Sequence, residues 1–248
     1  MSGHSKWSTI KRKKAANDAK RGKVFTKILK EVTVAARLGG SDPEGNPRLR
    51  AALQDARASN VPKDNIDRAI KKGTGDLDGV SFEEVLYEGY GPGGVAVMVE
   101  TMTDNRNRTV GEVRHIFSKY GGNLGQDGCV AYMFEKRGYF MIEADSMDEE
   151  AFMELALELD VDDISTGEDG YEIFTAPGDY LTVKESLNDR EVAVAVGQLA
   201  MLPSNHVEPP SDKVASVVRM MEAMEDLDDV QNVWMNAQID DSALEAHS

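Results

Sequence analysis

Between residues 24 and 38 the apolar positions Val24, Phe25, Ile28, Leu29, Val32, Ala35 and Ala36 recur at helical spacing, which predicts an amphipathic helix stopped by Gly39-Gly40. Lys20, Lys23, Lys27 and Lys30 line its opposite face. A second helix is expected with Asn46 as N-cap and Pro47 in first position, turning Leu49, Ala52, Leu53 and Ala56 inward and ending near Ser59. A third opens at Pro62, buries Ile66, Ala69 and Ile70, and stops at Gly73. The stretch 1–22 has too little apolar surface to fold alone and is expected to be a polar arm.

After residues 73–84, which have the composition of a linker, the pattern turns to α/β. Strands are expected at 95–101, 129–135, 139–143, 161–165, 171–175 and 192–196, with a further edge strand in YEGYGP. Helices are expected at 109–120, 148–159 and 179–188. A last helix, 212–227, and strand, 230–239, are too short to close a core and need a host sheet. The fold class is therefore α+β and multidomain: a three-helix bundle with a basic arm, then two α/β ferredoxin-like sandwich domains, the third inserted into the second. The expected partition is 1–75, then 80–135 plus 207–240 as one discontinuous unit, with 136–206 inserted; residues 240–248 are expected to fray.

The chain's net charge of −16 conceals a division. Residues 1–75 hold 18 basic and 7 acidic side chains, whereas the remaining 173 hold 10 and 37. A segregated cationic module keeps its own local potential in an acidic protein, so a polyanionic partner is tested on each part separately. The single cysteine, Cys129, excludes an intramolecular disulfide and is expected to pack in a strand. No apolar run approaches a membrane span, no apolar signal block opens the chain, and a cytoplasmic location is expected.

The densest candidate chemistry lies in the arm and first helix. There Lys6, Lys11, Arg12, Lys13, Lys14, Lys20, Arg21, Lys23 and Lys27 accompany Trp7, a set suited to displacing phosphate counterions and stacking an unpaired base. The plain alternative is a solvated arm anchored by a buried Trp7. Arg48, Arg50, Arg57 and Arg68 either extend this footprint or are ordinary surface. In TDNRNRTV, Arg106 and Arg108 precede a helix and form a second candidate contact; the alternative is an Asn107 cap with both arginines paired to carboxylates.

Other patterns fail as sites. GYGPGG leads into a strand and lacks the Gly-Lys-Ser/Thr ending of a phosphate loop, and KKGTGDLDG at 71–79 reads as a helix stop and linker. His4, His115, His206 and His247 are scattered, and no metal site is expected. Asp160, Asp162, Asp163, Glu168 and Asp169 lack the spacing of a calcium loop. Met220, Met221 and Met224 fall at the spacing of a core seam. With no nucleophile elbow and no distinct carboxylate pair, neither an enzyme nor a cofactor is expected.

The strings GHSKWSTIKRKKAANDAKRGKVFTKILKEV, NPRLRAALQDARASNVPKDNIDRAIKKGTG, YEGYGPGGVAVMVETMTDNRNRT and LPSNHVEPP closely resemble the YebC/PmpR family, which includes mitochondrial translational activators of cytochrome oxidase. The resemblance covers about residues 1–240 and is strongest over 1–135. It implies a three-helix domain followed by two α/β domains, and a cytoplasmic regulator of gene expression described as a probable DNA-binding transcriptional regulator; some members act on the ribosome. The expected partner is thus nucleic acid, either duplex DNA or ribosomal RNA, with protein contact through the acidic α/β domains as the alternative of a different class.

Overall fold

The computed structural model describes residues 18–79, 81–167 and 170–239, with side chains from Gly22 onward. Helix α1 (Asp18–Gly39) packs against α2 (Pro47–Ala58) and α3 (Lys63–Thr74) around Val32, Ala35, Leu49, Ala56 and Ile66. The Asn46 side chain caps α2 by accepting from the Leu49 N–H at 3.1 Å, and its own amide donates to the carbonyls of Ala35 and Gly40, sewing the turn to α1. The third helix does not stop at Gly73: it runs to Thr74 and is closed by Gly75 in the left-handed conformation. Gly73 serves close packing instead, since a Cβ there would lie 2.4 Å from the Thr33 carbonyl oxygen of α1.

Two four-stranded antiparallel sheets follow. Strands β1 (Glu83–Tyr90) and β2 (Ala96–Thr103) form a hairpin joined through Pro92–Gly94, so GYGPGG is a turn. Helix α4 (Arg106–Lys119) and the two-residue β3 (Asn123–Leu124) come next. The chain then builds a second sheet from β4 (Phe134–Glu143), α5 (Glu149–Glu158), β5 (Asp163–Gly167), β6 (Gly170–Thr175), α6 (Tyr180–Asp189) and β7 (Val194–Pro203). It returns to the first sheet through α7 (Ser211–Glu225) and β8 (Val230–Met235).

The strand orders are β3-β1-β2-β8 and β5-β6-β4-β7. The second sheet, with its β-α-β-β-α-β run, has the ferredoxin-like arrangement. The first has the same inventory but begins with a hairpin, and its β1 is an interior strand rather than the expected edge. The two strands expected at 129–135 and 139–143 are not separate. Residues 131–133 form a short 3-10 turn, Cys129 lies half-buried in the preceding turn, and β4 runs unbroken from Phe134.

Side-chain parity explains the layering. Along β2, Val97 and Val99 join the core with α4 and α7, which includes Phe117 and the expected Met220, Met221 and Met224, whereas Ala96 and Met98 face the other way with Trp234. On β4, Phe140 and Ile142 pack with α5 and α6, while Tyr139 and Met141 join Ala96, Met98 and Trp234. The two sheets therefore stack face to face with helices outside. This is why VAVMVET is apolar without alternation: both of its faces are buried. Within the layer, the Tyr139 hydroxyl donates to buried Glu172 at 2.9 Å.

Candidate nucleic-acid interface

Helix α1 carries lysines at 23, 27 and 30, spaced to share one face. That face is turned onto the end of α7 and the acidic turn after it. Lys23 Nζ donates to the Asp226 carboxylate at 2.8 Å and to its carbonyl at 3.1 Å, and Lys27 Nζ donates to the Glu225 carbonyl at 3.1 Å. Lys30 Nζ reaches the Asp228 carbonyl at 2.8 Å, the Met102 carbonyl at 3.2 Å and Asp229 Oδ1 at 2.7 Å. These ammonium groups satisfy carbonyls at and just beyond a helix C-terminus, where the dipole favours cations.

Asp229 is the centre of this joint. Its side chain is 5% exposed, and its Oδ2 accepts from the hydroxyls of Thr103 at 3.1 Å and Thr109 at 2.8 Å and from Arg108 Nη2. Burial alone pushes the Asp229 carboxyl up, but the bonds from Lys30, Arg108 and Thr109 outweigh it and hold the group at about 2. Arg108 is also tied to Asp104 at 2.7 Å, and the two carboxylates, Asp229 first, raise its already high pKa.

Helix α2 adds further ties to the sheets. Arg48 grips Glu31 through Nε at 2.6 Å and Nη2 at 3.0 Å, and reaches Glu84 at 2.7 Å; its hydrogen bond holds the Glu84 carboxyl below the ordinary range. Arg50 pairs with Glu185 of α6, and Lys184 pairs back to Asp55, both at 2.7 Å.

A different set of cations stays in water. Arg57 at the end of α2 and Lys63, Arg68, Lys71 and Lys72 of α3 are exposed, and none has an ion pair among the described residues. Of the four arginines that could extend the footprint, Arg48 and Arg50 are engaged internally, while Arg57 and Arg68 are exposed and without an ion pair among the described residues.

The remaining candidates fall in three places. Lys6, Trp7, Lys11, Arg12, Lys13 and Lys14 lie outside the described residues; Lys20 and Arg21 belong to α1, but their side chains lie outside them too. Lys23 and Lys27 lie in the joint. Arg106 is exposed at the first position of α4, whereas Arg108 is drawn into the joint, and Asn105 rather than Asn107 caps this helix by accepting from the Arg108 N–H at 3.1 Å. His4, His247, Glu168 and Asp169 also lie outside the described residues, and no cluster able to hold a metal occurs among those that are described. No described helix is long and apolar enough to cross a membrane.

Sequence reasoning missed Asp229 and the inward role of Lys30. The signal was the run EDLDD at 225–229, which puts four carboxylates at the negative end of a helix dipole, an unfavourable placement unless cations cover it.

A small helical unit with exposed cations, tied by ion pairs to two stacked antiparallel sheets, defines an α+β protein of three structural units. The chain belongs to the TACO1/YebC family. Residues 5–76 match the description "TACO1/YebC protein N-terminal domain", and residues 82–237 match "TACO1/YebC second and third domain". A relative from Desulfosudis oleivorans, named "Probable transcriptional regulatory protein", is 52% identical over 246 residues, covering 99% of this chain and 100% of its own length. One with the same designation from Geobacter sulfurreducens is 54% identical over 245 residues, covering 99% of each. The crystal structure of a conserved hypothetical protein from Aquifex aeolicus is similar with a TM-score of 0.83 and 48% identity, over 90% of this chain and 93% of that one.

Proposed function

We propose that this chain is a cytoplasmic, non-enzymatic regulator of gene expression that binds nucleic acid, acting on duplex DNA as a transcriptional regulator. The observation that carries the reading is the set Arg57, Lys63, Arg68, Lys71 and Lys72, exposed and without an ion pair among the described residues of a chain with 44 carboxylate side chains to 28 cations. The names of the relatives support the regulatory role.

In this reading the arm residues Lys6, Lys11, Arg12, Lys13 and Lys14, with Lys20 and Arg21, add phosphate contacts, and Trp7 stacks on an exposed base. Arg106 gives a further contact on the first sheet. Lys23, Lys27 and Arg108 serve the joint that fixes the helical unit to the acidic sheets. Those sheets repel phosphate and so confine the ligand to the cationic end.

Crosslinking in cells, followed by sequencing of the bound DNA and RNA, tests the proposal. Enrichment of chromosomal sites is the expected result. Recovery of ribosomal RNA alone would move the function to translation, and recovery of neither would refute nucleic-acid binding. Charge reversal of Lys11, Arg12, Lys13 and Lys14 should also flatten the salt dependence of binding, by roughly one unit of slope per lost phosphate contact.

A further inference from the structure

Where α1 crosses α3, the absence of a side chain at Gly73 lets the helices approach so closely that a Cβ would sit 2.4 Å from the Thr33 carbonyl oxygen and 2.8 Å from the Ala36 Cβ. The crossing opens a shallow notch lined by Arg37 of α1, Lys72 and Gly73 of α3, and Gly79 and Ser81 of the connection to β1, with Val34 and Phe82 as its apolar wall. The segment KKGTGDLDG, which reads as a plain helix stop, is thus wrapped against a cationic recess. The Leu77 N–H donates to the Lys71 carbonyl at 3.1 Å, folding the segment back, and a Cβ on Gly79 would lie 3.1 Å from Lys72 Cγ.

Among the described residues no carboxylate lines this notch. Arg37 Nη1 donates to Ser81 Oγ at 2.7 Å, which orients the guanidinium and leaves its other N–H groups, and the Ser81 hydroxyl proton, without an acceptor among the described residues. Lys72 has no ion pair there either. Glu84 is near enough to feel the charge of Arg37, but its carboxylate is held by Arg48 at 2.7 and 3.3 Å. Arg37 and Ser81 are hydrogen-bonded at this recess and the stem of Lys72 lies along it; a guanidinium fork and a hydroxyl, with an ammonium on a flexible stem within reach, form a donor set suited to a tetrahedral oxyanion.

We infer that this notch is a subsite for a single phosphate group, held by Arg37, Lys72 and Ser81. As a backbone phosphate of bound nucleic acid, the group would bring the ligand's path along α3 to the connection with the sheets; that source rests on the function proposed above. A free phosphate is the other source of the same chemistry.

The test uses the full chain and its Arg37→Ala/Lys72→Ala variant. Both side chains are exposed, so the variant should keep its fold, as its melting temperature would verify. Each protein is titrated with inorganic phosphate against chloride at equal ionic strength, following the amide NMR signals of Gly73, Gly79 and Ser81. Binding of a short DNA duplex is measured in parallel across salt concentrations. The expected result is a phosphate-dependent shift of these amides that weakens at least fivefold in the variant, with the logarithmic salt slope for DNA reduced by about 1. A phosphate response lost in the variant with an unchanged DNA slope supports the subsite and assigns it to free phosphate. The inference is overturned if the wild type shows no phosphate response, or one the variant retains, while the DNA slope is unchanged. If the wild type binds no nucleic acid at all, the proposed function fails, and the phosphate titration still decides the notch.

Discussion

The side of the helical unit that meets the sheets and the region formed by α3 with the end of α2 hold similar numbers of cations in opposite circumstances. On the first, Lys23, Lys27, Lys30, Arg48 and Arg50 each donate to a carboxylate or carbonyl oxygen. On the second, Arg57, Lys63, Arg68, Lys71 and Lys72 are exposed and carry no ion pair among the described residues. Sequence counts them alike. Their consequences differ: a partnered charge holds geometry and, where it is buried as at Lys30, is costly to unpair, whereas an exposed unpaired one contributes little to stability and can meet a ligand. The acidity of the sheets therefore has a constructive role: part of it forms the seat on which the basic unit docks.

The sharpest way to break the comparison is Lys30→Met, which strips the ammonium from a joint where Asp229 is 5% exposed. Arg108 and the two threonines remain, so the loss should fall near the low end of the range for breaking a buried pair, about 3 kcal/mol in denaturant unfolding. A loss below about 1 kcal/mol would show that Asp229 does not depend on Lys30. Gly73→Ala should cost about 2 kcal/mol, because the added methyl meets a backbone oxygen at 2.4 Å and outweighs the gain in helix propensity.

The joint should also respond to acid. The Asp229 carboxyl is lowered from 3.8 to about 2 in the folded chain, so its stabilisation is complete above about pH 5 and is lost as pH falls through 2. Unfolding followed between pH 5 and 2 should show a contribution of about 2 kcal/mol that is absent from Asp229→Asn. At the small end, Glu185→Gln should cost less than about 1 kcal/mol, since its bond to Arg50 lies on a partly exposed rim.

Local rules made much of the fold legible. The Asn46-Pro47 start of α2, the inward faces of the first three helices, and the need of α7 and β8 for a host sheet all follow from capping and periodicity. The misreadings arise where tertiary contact overrides a local signal. Gly73 looks like a helix stop because glycine usually ends helices, but here it is retained for a close crossing. The stretch 129–143 looks like two strands, although its first part is bent into a 3-10 turn; buried Glu88 accepts backbone N–H groups of Gly128, Val130 and Ala131 at 2.7, 2.9 and 2.8 Å and holds that bend. For the site the limit is more basic. A polar helix face turned toward another part of the same chain has the same periodicity as one turned toward water, so the different environments of Lys27 and Lys71 could not be read from spacing.

The most direct test compares the salt dependence of nucleic-acid binding by the full chain with that of Arg68→Gln/Lys71→Gln. The variant should retain wild-type stability within about 0.5 kcal/mol and lose nearly two units of logarithmic salt slope on duplex DNA. An unchanged slope at unchanged stability would contradict the assignment of these exposed cations to the ligand.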